Sequence, residues 1–207
     1  LTRRVLAPAA ELAEVKSLVE SATELVGHNL KFDAHALSYL IPGLEWPWHK
    51  CHDTLLAAHL LASNRPKDLT SLAIQYLGID IEPKEQALAE AVQACRRKVQ
   101  QAQLRVKRGK GLGDPLEQWR IASAGLPEMP SAKSDNKKEA NPWRADYWLP
   151  RAYARQLQLP PEHPYWTVLS AYANTDSSVT LLLWRVMRDL IKKRGLWAIY
   201  EHRRQLL

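Results

Sequence analysis

A short apolar stretch that runs directly into a helix sets the fold class of this chain. Residues 24–28 read Glu-Leu-Val-Gly-His, which fits one buried strand, and a helix is predicted over 31–40 before the Pro-Gly at 42–43 breaks it. A second extended stretch, 46–52, leads in the same way into a helix that opens with Asp-Thr at 53–54. We therefore expect an α/β fold with few strands.

Helical periodicity accounts for most of the remaining chain. Asp53 is predicted as the N-cap of the helix that follows it, and Gly78 as the residue that closes a later helix. Residues 127–145 hold Pro, Ser, Asn, Lys and Glu with almost no aliphatic side chains, which predicts a loop or a disordered stretch. Helices are expected over residues 8–25, 31–40, 53–61, 69–77, 83–108 and 165–193, and from 196 onward.

The composition excludes several classes of protein. Of the 207 residues, 46% are hydrophobic and 25% are charged, so the chain is not disordered along its whole length. No apolar run approaches the ~18 residues of a membrane span, and the first residues lack the apolar stretch of a signal peptide. Two cysteines, Cys51 and Cys95, cannot form a disulfide framework, which indicates a reducing, cytoplasmic setting.

The net charge of +7 is concentrated in one segment. Residues 96–110 contain seven basic residues and no acid, an excess equal to the net charge of the whole chain. Such a run can contact a nucleic-acid backbone, where each neutralised phosphate adds salt-dependent affinity. It can equally be the solvated end of the predicted helix, where positive charge complements the helix dipole. The candidate backbone contacts are Arg96, Arg97, Lys98, Arg105, Lys107 and Arg108.

Two pairs of polar residues, each four positions apart, are the candidates for chemistry. Asn29 and Asp33 sit where the first predicted strand passes into a helix, and Tyr172 and Asp176 share one face of the long later helix. Apolar neighbours turn that face towards a core, so Asp176 needs a partner, and a divalent metal shared with Asp33 would supply one. Each pair also has an ordinary interpretation: a helix-terminal acid with its cap, and a buried phenol–carboxylate hydrogen bond.

These residues resemble a known family. Val26-Gly-His-Asn-Leu-Lys-Phe-Asp33 is similar to the second motif of the 3′–5′ proofreading exonuclease domain of family A DNA polymerases. Tyr172-Ala-Asn-Thr-Asp-Ser-Ser-Val-Thr180 is similar to its third motif, in the tyrosine-bearing form of the DEDD exonucleases. The resemblance covers residues 8–82 and 165–203. Three further parts of the chain resemble the family's helices in the family's order: 53–61, 69–78, and 183–187 with 195–201.

The resemblance implies a ribonuclease H-like fold and a particular chemistry. Such domains hydrolyse the 3′-terminal phosphodiester of single-stranded DNA with two divalent ions, Mg²⁺ or Mn²⁺, held by four carboxylates. By this resemblance Asp33 and Asp176 would bind metal, and Tyr172 would orient the attacking water. Asn29 and Lys31 would hold the substrate, or Asn29 the strand-to-helix turn. The resemblance also implies a polymerase domain in the same parent chain and a cytoplasmic location, at the nucleoid or in the host cell of a virus.

The chain departs from the family at the first motif. An Asp-x-Glu on an opening strand is expected before the helix at 8–25, but residues 1–7 contain no acid. Asp80-Ile-Glu82 has the right letters, yet it follows a helix and ends at Pro83, whereas a two-metal site needs its acids on a fixed strand. Two carboxylates seldom hold two Mg²⁺ ions, so we expect this chain alone to be inactive or poorly active.

Other residues permit weaker interpretations. His49, Cys51, His52 and His59 could indicate zinc, but their spacing matches no tetrahedral pattern well, so strand or surface roles are favoured. A group of aromatic residues could stack unpaired bases, although such residues more often pin an insertion to its host. These aromatic residues are Trp119, Trp143, Trp148, Tyr153 and Trp166.

We therefore predict an incomplete, N-terminally truncated exonuclease fold of the α/β class, mostly helical, with few strands and a large insertion. The predicted parts are residues 1–84 with the second motif, 85–163 as the insertion, 164–194 with the third motif, and 195–207 leading into a polymerase domain. Two alternatives stay open. One is a non-catalytic nucleic-acid-binding or structural module that retains the fold, and the other is a ribonuclease D-like trimmer of RNA 3′ ends. No membrane partner is expected.

Overall fold

A computed structural model describes residues 9–110 and 147–204, and within them the fold is α/β and mostly helical, as predicted. The predicted loop at 127–145, with Trp119 and Trp143, lies outside the described residues. In chain order the elements are α1 (Ala9–Ser21), β1 (Leu25–Gly27), α2 (Leu30–Leu40), a 3₁₀ turn (Trp48–Lys50), β2 (Cys51–Asp53), α3 (Thr54–Leu61), α4 (Leu69–Leu77), α5 (Glu82–Lys107), α6 (Leu149–Gln156), a second 3₁₀ turn (Pro164–Trp166), α7 (Val168–Lys193) and α8 (Trp197–Arg204).

The two strands form a parallel pair. The register places Leu25 opposite Cys51 and Gly27 opposite Asp53. Parallel strands need a crossover connection, which α2 and the segment after it supply. Both strands therefore end at the same edge, and there β1 runs into α2 and β2 into α3. In open parallel sheets this edge is where ligands bind, so the topology brings the two strand-to-helix turns to one place.

The predicted element bounds agree with the structure except at a few points, which have local causes. α1 ends at Ser21 rather than near residue 25, because Leu25 already pairs in β1. The helix predicted from residue 165 begins as a 3₁₀ turn, and α7 starts only at Val168. No helix is predicted for the segment that forms α6, which buries Leu149, Pro150, Tyr153 and Ala154.

Side-chain and glycine caps define α3 and α4. Asp53 accepts the backbone N–H of Leu55 at 2.8 Å, which confirms it as the predicted N-cap of α3. Asp68 accepts the N–H of Ser71 at 2.8 Å and caps α4 in the same way. Gly78 ends α4 with φ 68°, a left-handed conformation that glycine adopts without a Cβ penalty. No helix in the described ranges is long and apolar enough to cross a bilayer.

The described residues divide into two compact units. The first contains the described residues up to Asp80 together with those from Asp176 onward, and the second extends from Ile81 to Thr175, so the division falls inside α7. In the first unit α3, α4, α7 and α8 share the main core, and α1 and α2 enclose a smaller one. The largest fully buried side chains of the main core are Trp184, Tyr200, Leu183, Met187 and Ile191.

The second unit has its own core between α5 and α6. Cys95 of α5 packs with Leu149 and Tyr153 of α6, and Trp148 covers this cluster. Trp166 donates its indole N–H to the carbonyls of the preceding loop, at 3.0 Å for the shorter bond. Trp148, Tyr153 and Trp166 therefore make their described contacts within the second unit, and the choice between pinning the insertion to its host and base stacking stays a prediction.

Candidate active site at the strand ends

The turn from β1 into α2 has a backbone conformation that its residues permit. Asn29 lies at φ 62° and ψ 46°, in the left-handed region that asparagine tolerates better than most residues with a Cβ. Gly27 packs so tightly on Leu30 that a Cβ would lie 3.1 Å from the Leu30 Cβ and closer still to Cδ1. Glycine and asparagine at these positions therefore let α2 begin directly at the strand end.

The carboxylate of Asp53 fixes this turn from the neighbouring strand. Its Oδ1 accepts the backbone N–H of Asn29 at 3.0 Å, and its Oδ2 accepts that of Leu30 at 2.9 Å. Together with the Leu55 cap, three backbone N–H groups converge on one side chain that is only 3% exposed. Helix N-termini favour a negative charge, and Asp53 serves the starts of α2 and α3 at once.

A second link joins the same two turns. The Thr54 hydroxyl donates to the Gly27 carbonyl at 3.1 Å and lies 2.9 Å from Nδ1 of His28. The Thr54 hydroxyl thus links the His28 ring to the end of β1. The imidazole also hydrogen-bonds the backbone of Lys67, so two contacts fix its orientation.

Several carboxylates surround His28. Burial lowers the pKa of His28, while the charges of Asp53, Asp68 and Asp176 act in the opposite direction. The charge of His28 in turn acts on Asp33. Asp33 and Asp176 thus both interact electrostatically with His28, although 143 positions separate them in the sequence (176 − 33).

Asp33 lies on the first turn of α2, beside Lys31 and Phe32. Partial desolvation raises the pKa of the Asp33 carboxyl, the negative charge of Asp53 adds to this, and His28 opposes it. Lys31 is exposed, and Phe32 is 72% exposed despite its apolar ring. This turn thus presents a cation, an aromatic face and a carboxylate to solvent, side by side.

The third-motif residues both lie on α7, four positions apart and so on one face of the helix. Asp176 is half-buried and belongs to the first unit. Tyr172 belongs to the second unit, where its ring lies 5.8 Å from that of Tyr147. The structure thus brings Asp176 to the His28 neighbourhood, and Tyr172 is described only with its own unit.

The side chains present do not fit a two-metal site by themselves. Among the described residues no three His, Cys, Asp or Glu side chains are arranged to hold a metal ion. Asp53 is near Asp33, but its oxygens already accept three backbone N–H groups. Asp33 and Asp176 remain as potential ligands, and Mg²⁺ requires about six oxygen ligands in octahedral order.

The weaker metal interpretations gain no support either. Glu82 begins α5 and accepts a hydrogen bond from Gln86 at 2.9 Å, so the Asp-x-Glu at 80–82 is not on a strand. Cys51 is buried and accepts the indole N–H of Trp46 at 3.1 Å. His52 stacks on Trp184 with ring centroids 4.3 Å apart. The zinc interpretation therefore lacks a cluster among the described residues.

The basic end of α5 is largely exposed, with one exception. Arg97, Lys98 and the three basic residues from Arg105 to Arg108 face solvent, and the ammonium of Lys98 lies 5.6 Å from the ring centroid of Tyr153. In Arg96, by contrast, Nε and Nη2 are buried. The predicted nucleic-acid backbone contact of Arg96 stays a prediction, and the burial of these two nitrogens leaves it less accessible than its neighbours.

Comparison with known proteins identifies the family of this segment. Residues 4–103 match the family model described as the 3′–5′ exonuclease of the DNA polymerase A type. Residues 4–103 are therefore similar to the 3′–5′ exonuclease domain of family A DNA polymerases, which supports such a domain in this segment. The domain is that of a nuclease, whose substrate is nucleic acid. The match ends before Tyr172 and Asp176, whose roles stay predictions. No curated protein and no solved structure matches the chain.

Two site residues have roles that the sequence did not reveal. Asp53 was predicted only as a cap of its own helix, since its bonds to Asn29 and Leu30 cross between strands. His28 lies within the second motif, where the sequence assigns it no role. One signal was available: both strand-to-helix turns carry polar residues directly after the strand, and parallel strands bring such ends together.

Proposed function

We propose that the chain is part of a 3′–5′ proofreading exonuclease domain of a family A DNA polymerase, acting on single-stranded DNA 3′ ends. The observation that supports this proposal is that Asp33, on the first turn after β1, and Asp176, on α7, both interact electrostatically with His28. The matched family supplies the reaction class. A cytoplasmic location, at the nucleoid or in the host cell of a virus, follows from the same proposal.

Each site residue has a proposed role. Asp33 and Asp176 are ligands for Mg²⁺ or Mn²⁺, and when bound in a complete site such ions activate water and stabilise the leaving oxygen. Tyr172 orients the attacking water. Lys31 contacts a substrate phosphate, since its ammonium is exposed beside Asp33. Asn29 acts mainly through its backbone, which shapes the turn that positions Asp33.

Full activity requires carboxylates beyond the two assigned here. In the proposed parent an Asp-x-Glu strand completes the site, and a polymerase domain follows in the same chain. The chain by itself is then inactive or poorly active, because two carboxylates leave most of the coordination of two ions unfilled. Metal binding by this chain and cleavage by its parent are accordingly separate measurements.

The decisive experiment compares substitutions of the two proposed metal ligands with a substitution of a carboxylate outside the site. Mn²⁺ binding to the 207-residue chain is measured by electron paramagnetic resonance, for the wild type, Asp33→Asn, Asp176→Asn and the matched control Asp189→Asn, whose carboxylate is exposed on α7. We expect both site variants to weaken binding about tenfold or more, and the control to leave it unchanged. The same substitutions in the parent should abolish Mg²⁺-dependent removal of 3′ nucleotides from labelled single-stranded DNA.

Unchanged Mn²⁺ affinity in both site variants, with unchanged 3′ digestion by the parent, would remove Asp33 and Asp176 from the proposal. A clear preference of the parent for RNA over DNA 3′ ends would instead indicate the ribonuclease D-like trimmer. Both results are read against the Asp189→Asn control, so a general effect of removing one negative charge is separated from loss of a ligand.

The second candidate function is a non-catalytic nucleic-acid-binding module. It is favoured by the lack of a three-ligand metal cluster in the described residues and by the exposed basic end of α5. This function predicts DNA binding that persists in EDTA, weakens steeply with salt, and is accompanied by no cleavage in the parent. Cleavage by the parent excludes it.

A further inference from the structure

A cavity of about 530 Å³ lies in the first unit, away from the Asp33 turn. Its wall includes Glu24 and Lys50, which precede β1 and β2, and residues of α7 and α8. The cavity therefore lies towards the amino ends of the strands, whereas Asp33 and Asp53 lie at the carboxyl ends. A volume of this size is in the range of small-molecule sites, roughly 300–1,000 Å³.

Basic side chains outnumber acids in the cavity wall. Four cations face it against two carboxylates, those of Glu24 and Glu201. Glu201 is already paired, because its Oε2 accepts from Nη2 of Arg204 at 2.6 Å and from Nε at 2.9 Å. The four cations are Lys50, Arg188, Lys192 and Arg204.

Three of these cations lack a carboxylate partner in the cavity. Arg188 contacts Asp189 at 3.3 Å, but that carboxylate is 71% exposed and is not part of the wall. Within the described part of the chain, Lys50 donates only to the backbone carbonyl of Glu20, at 2.9 Å. Lys192 lies 4.8 Å from the ring centroid of Trp197, again without an ion pair among the described residues.

The neighbouring histidine supports a positive potential in the cavity. Burial lowers the pKa of His52, and the charges of Arg204 and Arg188 lower it further, while Glu24 and Glu201 act in the opposite direction. The nearest carboxylate oxygen, on Glu24, is 3.9 Å from Nε2 of His52. His52 is therefore neutral at pH 7 and leaves the excess cationic charge to be satisfied by a ligand.

The wall also includes one partly exposed indole beside these cations, that of Trp197, which packs on a buried aromatic stack. His52 stacks on Trp184 at a centroid distance of 4.3 Å, and Trp197 lies against the same Trp184 at 6.4 Å. Cations without a carboxylate partner in the wall, next to an aromatic ring, suit a ligand that combines a phosphate with a planar ring. We propose that this cavity binds a nucleoside monophosphate, with its phosphate on Arg188 and Lys192 and its base against Trp197.

The test measures binding of small ligands to the 207-residue chain by calorimetry in EDTA, which removes any contribution of divalent ions. The ligands are deoxyadenosine monophosphate, inorganic phosphate and deoxyadenosine. We expect the nucleotide to bind tightest and inorganic phosphate more weakly. Deoxyadenosine should bind at least tenfold more weakly than the nucleotide, because it lacks the phosphate.

A charge-matched pair of variants locates the site. Arg188→Gln with Lys192→Gln should weaken nucleotide binding about tenfold or more. Arg185→Gln with Lys193→Gln removes the same charge from exposed positions of the same helix outside the cavity, and should leave binding unchanged. Lys50→Gln should also weaken nucleotide binding. Because Lys50 lies outside α7, this variant shows that the loss of binding is not caused by a local defect of that helix.

The proposal is overturned if the wild type binds no nucleotide, or if the two double variants weaken binding equally, which would indicate net charge alone. Inorganic phosphate binding as tightly as the nucleotide would overturn the nucleotide assignment. Asp33→Asn should bind the nucleotide as the wild type does. The nucleotide site and the proposed exonuclease site can therefore fail independently.

Discussion

Asp53→Asn tests how far the strand ends depend on one carboxylate. An amide has one acceptor oxygen, which in place of Oδ1 can retain the bonds from Leu55 and Asn29, but its NH₂ group would then face the backbone N–H of Leu30. Leaving buried donors unsatisfied should lower the free energy of unfolding by roughly 2–3 kcal/mol, measured by urea titration.

Asp68→Asn is the matched control for that substitution. Asp68 caps α4 through one N–H, that of Ser71, and the residue is exposed. Asparagine caps helices about as well as aspartate, so the change should stay within about 0.5 kcal/mol. Equal destabilisation by the two substitutions would show that Asp53 acts as an ordinary cap.

At the residue scale, the sequence predicted those residue roles that depend on adjacent residues in the chain. The cap at Asp53 follows from an aspartate placed directly before a helix. The bonds from Asp53 to Asn29 and Leu30, and the grouping of Asp176 with His28, depend on how distant segments meet. The family resemblance predicted that Asp33 and Asp176 share one site. Residue spacing alone is equally explained by a helix-terminal acid at Asp33 and a phenol–carboxylate hydrogen bond at Asp176.

At the element scale, β2 carries a histidine whose protonation opposes folding. The pKa of His52 is lowered in the folded state, so below pH ~6.5 the unfolded chain binds more protons than the folded chain. Stability is therefore greatest above pH 6.5 and decreases as the pH falls through that value towards the folded pKa. We expect urea titrations to show lower stability at pH 5.5 than at pH 7.5, with a slope of at most about 1.4 kcal/mol per pH unit for this group.

His52→Gln should make that decrease smaller without removing it, because the pKa of His28 is lowered as well. His59→Gln, at an exposed position of α3, should retain the wild-type dependence. A pH dependence that is unchanged in His52→Gln would mean that the stack on Trp184 accepts a protonated imidazole.

Elements were predictable where the pattern was long or bounded by clear stop signals. The Asp53 cap, the glycine at the end of α4 and the strand before α2 belong to this group. α6 was missed although its buried residues, Leu149, Pro150, Tyr153 and Ala154, repeat at helical spacing. The helix has only 8 residues and a proline in its first turn, so two turns of pattern were too short to stand out.

At the scale of the whole molecule, the +7 charge should appear in the salt dependence of DNA binding. Arg105, Lys107 and Arg108 are exposed at the end of α5. If they contact phosphates, replacing all three with glutamine should reduce the slope of log K against log salt by about 2, since each contact contributes about 0.7 for single strands. Fluorescence anisotropy with a labelled single strand measures this slope.

The control removes the same charge elsewhere. Arg65, Arg185 and Lys193 are exposed residues of the first unit, and their triple replacement should leave the slope close to that of the wild type. Similar changes in both variants would assign the effect to net charge, and the end of α5 would then be a solvated helix terminus.

The contact between Tyr200 and β2 has a consequence for folding order. The Tyr200 hydroxyl lies 3.3 Å from the backbone nitrogen of Asp53 and 3.3 Å from Nδ1 of His52, across 147 and 148 residues of sequence. Contacts between such distant residues form slowly, because a long loop must close first. During synthesis β2 can therefore complete its contacts only after Tyr200 of α8 has been made. We expect the two strand ends to reach their native contacts late in folding.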